Sequence, residues 1–279
     1  AGDKRATAED AVTVLDRQAL QPFNDPTTEC ISMCENFQSN EWSKVYYAVE
    51  SFRRLCIHHS SEIFNDSLDS KLTEICKSAK DLRSAVARNS LKALADVFFC
   101  RENDSNINQV NAMTFCSEES LNLVVSTLLE QSASDKKFLR MEAEKALQQL
   151  TLLSELDGKI FLAIAQHVNH KRTKIPGLVG KYGLRSLKSS SSLISSSQSS
   201  VSSVSSPSSS EKSKSLFSKF TLDTMLQTFS ILLTAKDHNG RLGGKQGFEH
   251  LFKLLGKDVF LKNLKCCLPL HEVKDAAKA

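Results

Sequence analysis

Eight cysteines, seven histidines and one glycine-rich stretch are the parts of this 279-residue sequence that could carry thiol, metal or phosphate chemistry. Zinc sites usually show paired CxxC spacing, and small disulfide scaffolds show a framework of cysteines. Cys30, Cys34, Cys56, Cys76, Cys100, Cys116, Cys266 and Cys267 follow neither pattern. Cys30 and Cys34 would share a helix face, but no further Cys or His completes a site. His167 and His170 have no carboxylate or thiol at metal spacing, and His58 and His59 point apart on a helix. NGRLGGKQG has the Gly-Lys of a phosphate loop. That loop would need Gly where Asn239 stands and Ser or Thr where Gln246 stands, and it should follow a strand. No GxSxG context supports a serine nucleophile. The expectation is reduced cysteines used as small core hydrophobes, with no catalytic residue, no metal and no cofactor.

Composition narrows the class further. Lys and Arg number 36 against 32 Asp and Glu, a net charge of +4, and 41% of residues are hydrophobic. Gly (10) and Pro (5) are too scarce for the many tight turns of a β-sandwich or barrel. No run approaches the ~18 apolar residues of a membrane span, so no membrane role is expected. The charged opening AGDKRATAED is not a signal peptide, and without an initiator Met it reads as part of a longer chain. The small net charge and few aromatics argue against nucleic acid as the main partner.

The elements that would position any functional group are helices. Apolar residues recur at three and four, as in Val45, Val49, Phe52, Cys56 and in Leu121, Val124, Val125, Leu128. A spacing of 0, +4, +7, +11 repeats five times: from Val45, from Val86, from Leu139, from Ile175 and from Gly244. An amphipathic helix precedes each, over 27–38, 63–79, 118–132, 157–169 and 219–235. The repeats lie 36 to 53 residues apart once the serine-rich segment is set aside. That period predicts an all-α solenoid of HEAT or armadillo type, five to six helix pairs stacked into one elongated array. An irregular helical bundle is the alternative.

Residues 189–210 contain 16 Ser in 22 positions, too polar to offset the entropy of ordering them. The expected organisation is a flexible segment 1–24, repeats one to four over 25–188, a disordered insertion 189–215, repeat five and the start of a sixth over 216–273, and a tail 274–279. The insertion would be a phosphorylation substrate and a possible docking segment for further proteins.

Three residues before each repeat frame stand Trp42, Arg83, Lys136, Arg172 and Arg241. In a solenoid of helix pairs these turns share one edge. Lys44, Lys80, Lys137, Lys171, Lys174, Lys236 and Asn239 fall in the same turns, against few acids (Glu41, Asp81, Asp135, Asp237). Such an edge suits a large acidic protein partner, although Lys and Arg are also ordinary solvated turn residues. Trp42 fits either a helix-packing wedge or an exposed contact.

NEWSKVYYAVESFRRL resembles the first repeat of TOG domains, and AKDLRSAVARNSLKALADVF the second repeat of the CLASP-type TOG domain. KKFLRMEAEKALQQL, HKRTKIPGLVGKYGLRSL and AKDHNGRLGGKQGFEHLFKLL are similar to the third, fourth and fifth, and Asp258–Leu264 could open a sixth. The resemblance spans roughly 25–270. It implies a non-catalytic HEAT array that binds tubulin or microtubules through its intra-repeat turns. Trp42 would pack on tubulin, and Lys44, Lys80, Arg83, Lys136, Lys137, Lys171, Arg172, Asn239 and Arg241 would contact its acidic or polar surface. The location implied is the cytoplasmic cytoskeleton: spindle, cortical array or cilium. A scaffold for a non-tubulin partner, regulated through the serine segment, is the competing reading. Three features depart from the pattern: the serine insertion, Pro176, and Gly243, Gly244 and Gly247, each weakening a helix by about 1 kcal/mol.

Overall fold

The 0, +4, +7, +11 spacing becomes a buried stripe on five long helices. Val49, Phe52 and Cys56 are fully buried, as are Val86, Ser90, Ala93 and Val97, and Ala143, Ala146 and Leu150. Ile175, Val179, Tyr182 and Ser186 follow, then Phe248 and Leu251. Val45 and Leu255, at the ends of the first and last stripes, are only partly covered.

The computed structural model describes residues 13–65, 67–103, 116–153, 158–197 and 218–267. Among them stand twelve α-helices and no strand. In chain order these are α1 (Pro26–Phe37), α2 (Trp42–His58), α3 (Ser60–Ile63), α4 (Leu68–Ser78), α5 (Ser84–Asn103) and α6 (Glu118–Ser132). Then come α7 (Lys137–Leu150), α8 (Lys159–Ala165), α9 (Lys174–Ser197), α10 (Lys219–Leu233), α11 (His238–Leu255) and α12 (Lys257–Cys267). The predicted pairs are therefore α1–α2, α4–α5, α6–α7, α8–α9 and α10–α11, with α12 opening a sixth. None of the described helices is long and apolar enough to cross a membrane.

Contacts group the chain into two compact units, Ala1–Leu153 and Ser154–Ala279. In the first, α2, α5 and α7 pack in succession as one layer, with α4 against α6 in the other. In the second, α9 packs on α11 while α8, α10 and α12 adjoin one another. The sequence reading placed the serine segment as an insertion between repeats four and five of one array, and the structure packs those two repeats together. The reason is glycine. A Cβ on Gly243 would stand 2.6 Å from the Gly180 backbone, one on Gly244 would stand 2.8 Å from Phe229 O, and one on Gly247 would enter the Phe229 ring. The residues that weaken α11 as an isolated helix are those that let it approach α9 and α10.

Four further expectations are adjusted. The helix expected over 63–79 is divided, because Asn65 Oδ1 accepts from the Ser67 N–H at 3.1 Å and its hydroxyl at 2.7 Å, turning the chain. The helix expected over 157–169 is the shorter α8. Pro176 lies in the first turn of α9, where its missing N–H costs little. That helix continues into the serine segment as far as Ser197, since a formed helix propagates through residues of only moderate propensity. The rest of the insertion (198–215), residues 1–12 and the tail 274–279 lie outside the described residues.

The fourth adjustment concerns residues 13–24, expected to be flexible. They are held against α2 and α5. Asp96, 3% exposed, receives Arg53 Nε on one carboxylate oxygen and Arg17 Nε on the other, each at 2.7 Å. Arg53 Nη1 also donates to Leu15 O and Asn89 Oδ1, both at 2.9 Å. Lys92 Nζ reaches Asp16 at 2.6 Å, and that hydrogen bond and charge hold the Asp16 carboxyl below its usual range. All eight cysteines are free thiols. Burial pushes Cys76 up to about 11 and, with help from Asp223, Cys267 up to about 12, so neither is a reactive thiolate.

Two predictions follow from this packing. Gly243→Ala should destabilise the protein by on the order of 1–2 kcal/mol in a denaturant melt, because overpacking outweighs the helix-propensity gain. Asp16 is depressed in the folded state, so its contribution is present above its unfolded pKa, near 3.8, and is lost as pH falls through the lower folded value. Asp16→Asn should therefore lower the melting temperature at neutral pH. That difference should shrink as the solution is acidified below pH 3.8.

Candidate functional site

Each turn from a first helix to its partner is built by the same device. A side-chain acceptor takes the backbone N–H two residues on: Ser39 from Glu41 at 3.1 Å, Asp81 from Arg83 at 2.7 Å, Ser134 from Lys136 at 3.3 Å, His170 from Arg172 at 3.1 Å. The fifth turn is one residue longer, with Asp237 accepting from the Gly240 N–H at 3.0 Å. These short side-chain-closed turns fix where each following helix starts. They leave the intervening residue at the tip.

The site residues named from sequence lie at these helix starts, except Lys80, which stands just past the end of α4. Trp42 opens α2, Arg83 immediately precedes α5, Lys136 is the N-cap of α7 and Lys137 its first residue. Lys171 and Arg172 precede α9, while Asn239 and Arg241 occupy the first turn of α11. Trp42 is half-buried; the other nine are exposed. Trp42 therefore packs as a wedge and still presents surface to solvent. One side packs on the cluster formed by Val14, Tyr46 and Val86, and the rest faces solvent.

In the first unit the structure brings three turns together. The Arg83 guanidinium lies 5.8 Å from the Trp42 ring centroid, and Lys136 Nζ donates to Ser84 Oγ at 2.9 Å. Lys80 reaches Glu130 at 3.0 Å, and Lys44 reaches Glu41 at 3.3 Å. Such exposed pairs contribute little to stability. In the second unit the starts of α9 and α11 adjoin, with Gly177 against Asp237 and Asn239. Arg241 differs from the others: its Nη1 donates to Ala235 O and Lys236 O, both at 2.8 Å, holding the end of the preceding helix.

Helix N-termini carry partial positive charge and favour acids. The first helices α1, α4 and α6 obey this with Glu29, Asp69, and Glu118 with Glu119. None of the five second helices has an acid in its first turn. Cations stand in or beside these first turns, although Glu41 and Asp237 are the N-caps of α2 and α11. On each unit the cations add to the dipole and give a positive edge suited to an acidic surface.

Sequence reasoning missed the apolar residues at these tips. Leu82 is 92% exposed between Asp81 and Arg83, Phe138 is 39% exposed in the first turn of α7, and Leu242 is 43% exposed near the start of α11. Each lies off the repeat spacing, which was the available signal: an apolar residue in a polar turn that no stripe requires. Cations around exposed apolar anchors are the composition of a protein-binding surface. Among the described residues no group of three or more His, Cys, Asp or Glu could hold a metal ion.

Paired helices in two layers, with basic, apolar-tipped turns, define a HEAT-type array with the fold of TOG domains. A solved structure described as "TOG-tubulin binding specificity promotes microtubule dynamics and mitotic spindle formation" is similar over 95% of this chain and 90% of its own, with TM-score 0.53 and 14% identity. The CEP104 TOG domain is similar over 89% and 91%, with TM-score 0.50 and 15% identity. In sequence, the TOG array regulator of axonemal microtubules protein 1 of Homo sapiens is 24% identical over 137 residues, 49% of this chain. The Mus musculus protein is 23% identical over the same length. The match spans only 7% of the length of these relatives. No family model matches the chain. None of these relatives bears on the CLASP type that the second repeat resembles.

If the cations at the second helices serve binding rather than folding, replacing one by an acid should stabilise the fold. Lys137→Glu should raise the melting temperature by about 1–3 °C at low salt. A fall would mean that Lys137 supports the fold itself.

Proposed function

We propose that this chain is a non-catalytic module that binds tubulin or microtubules through the turn edge and contributes to microtubule organisation or dynamics. The observation that carries the reading is the contiguity of Trp42, Arg83 and Lys136 at three successive helix starts. There a half-exposed aromatic stands beside cations that helix stability disfavours. The TOG fold of the chain supports it, as do relatives named for tubulin binding and axonemal microtubules. In this reading Trp42, Leu82 and Phe138 are apolar anchors. Lys44, Lys80, Arg83, Lys136 and Lys137 meet acidic or polar groups, as do Lys171, Arg172 and Asn239 of the second unit. Arg241 contributes less, because its guanidinium already closes the turn after α10 on Ala235 O and Lys236 O. The location that follows is the microtubule cytoskeleton, and a CLASP-like subtype remains part of the proposal on the strength of the second repeat alone.

The described start of the serine segment, up to Ser197, forms the C-terminal end of α9, a helix about 36 Å long whose other end bears the turn. Docking of a further protein there is a separate property.

A rigid surface with clustered cations binds with an electrostatic, salt-sensitive component. The chain should co-migrate with soluble tubulin in size-exclusion chromatography at low salt, and less at moderate salt. Trp42→Ala combined with Arg83→Ala should weaken binding by a factor of about ten or more. Unchanged co-migration of the double variant, or none by the unaltered chain with either tubulin or microtubules, would refute the reading.

A further inference from the structure

Residues 13–24 touch α2 and α5 in alternation along most of their length. At the turn end, Tyr46 Oη donates to Thr13 O at 3.3 Å, and Val14 completes the apolar cluster on which Trp42, Val45 and Ala85 pack. Midway, Arg53 of α2 holds Leu15 O while Lys92 and Asp96 of α5 hold Asp16 and Arg17. The Arg17 guanidinium also lies 3.7 Å over the Phe99 ring. At the far end, a His58 ring nitrogen lies 2.8 Å from Leu20 O, and Arg54 donates to Gln21 O at 2.7 Å while stacking on Phe23. One segment, turned once by the 3-10 helix Arg17–Ala19, is thus bonded to α2 toward both ends and to α5 in between.

We infer that residues 13–24 are a built-in strap that fixes α2 against α5 and thereby sets the Trp42–Arg83 pair, with Val14 and Arg17 as its positioning residues. The inference deepens the proposed function and rests on it only for the consequence in binding. A slide of α2 past α5 along their ridges would displace Trp42 from Arg83 directly; the bonds of Arg53 to Asp96 and Asn89 oppose it midway along the helices. Side-chain bonds from one strap to both helices oppose that slide. Val14 carries the constraint to the site, because it belongs to the cluster on which Trp42 packs and is 9% exposed.

The pairing pattern supplies a clean variant. Asp96 offers one oxygen to Arg53 and the other to Arg17, so Arg17→Met leaves the buried carboxylate paired and the two helices joined. Trp42 is the sole Trp of the chain, so intrinsic fluorescence reads the edge and nothing else. The full chain should be compared with Arg17→Met, Arg17→Lys and Val14→Ala, well below the melting temperature and with helix content checked by circular dichroism. Arg17→Met and Val14→Ala should make Trp42 more accessible to acrylamide and weaken tubulin binding about three- to tenfold, with partial rescue in Arg17→Lys. Should Arg17→Met lose helix content, Val14→Ala carries the test. Unchanged quenching in folded variants overturns the inference whatever tubulin does, as does a lowered melting temperature with quenching and affinity unchanged. Raised quenching in a protein that never binds tubulin would uphold the strap and remove the partner instead.

Discussion

A buried carboxylate shared by two guanidinium groups is the fixed point of the first unit. Asp96 sits almost wholly out of water, where an unpaired charge would cost several kcal/mol. Arg53 of α2 pairs with one of its oxygens, and Arg17 of the N-terminal segment pairs with the other. That pairing couples three parts of the chain that are far apart in sequence. It sets α2 beside α5 at one height, and the starts of those helices carry Trp42 and Arg83. In the second unit, glycine serves the same end. Gly180 and Gly243 meet backbone to backbone, which brings α9 and α11 close and sets their starts side by side.

The electrostatic asymmetry between the two helices of each of the first three pairs links this packing to function. Acids occupy the starts of three first helices, where they offset the dipole. Cations occupy the starts of the second helices, where they reinforce it. A chain optimised for stability alone would place acids at both. Positive side chains and positive helix ends coincide in the same turns, and half-exposed Trp42 with exposed Leu82 and Phe138 add apolar area among them. The combination attracts an acidic partner at long range and holds it at short range.

The helix pairs were legible because a stripe of period 3.6 must repeat wherever a helix is buried on one side, and Val86, Ser90, Ala93 and Val97 are such a stripe. The positions of Arg83 and Lys136 were legible by the same register. The strap was not. Residues 13–24 have no periodic pattern, since an extended segment held by side chains from two helices needs only its carbonyls and a few matched charges. Asp96 looked like an ordinary residue of α5, because nothing local marks a carboxylate whose partners lie 43 and 79 residues away. Gly243, Gly244 and Gly247 read as defects for a related reason. Propensity describes an isolated helix, while their value appears only when another backbone arrives.

The account stands on the claim that the helix starts bearing Trp42, Arg83 and Lys136 form one partner surface. Hydrogen–deuterium exchange of the full chain with and without tubulin tests it most directly. Protection concentrated in peptides covering 39–46, 80–87 and 134–140, with the opposite helix ends unaffected, is the predicted result. Tubulin binding that protects those opposite ends, or the serine segment, and leaves these three peptides unchanged would contradict it.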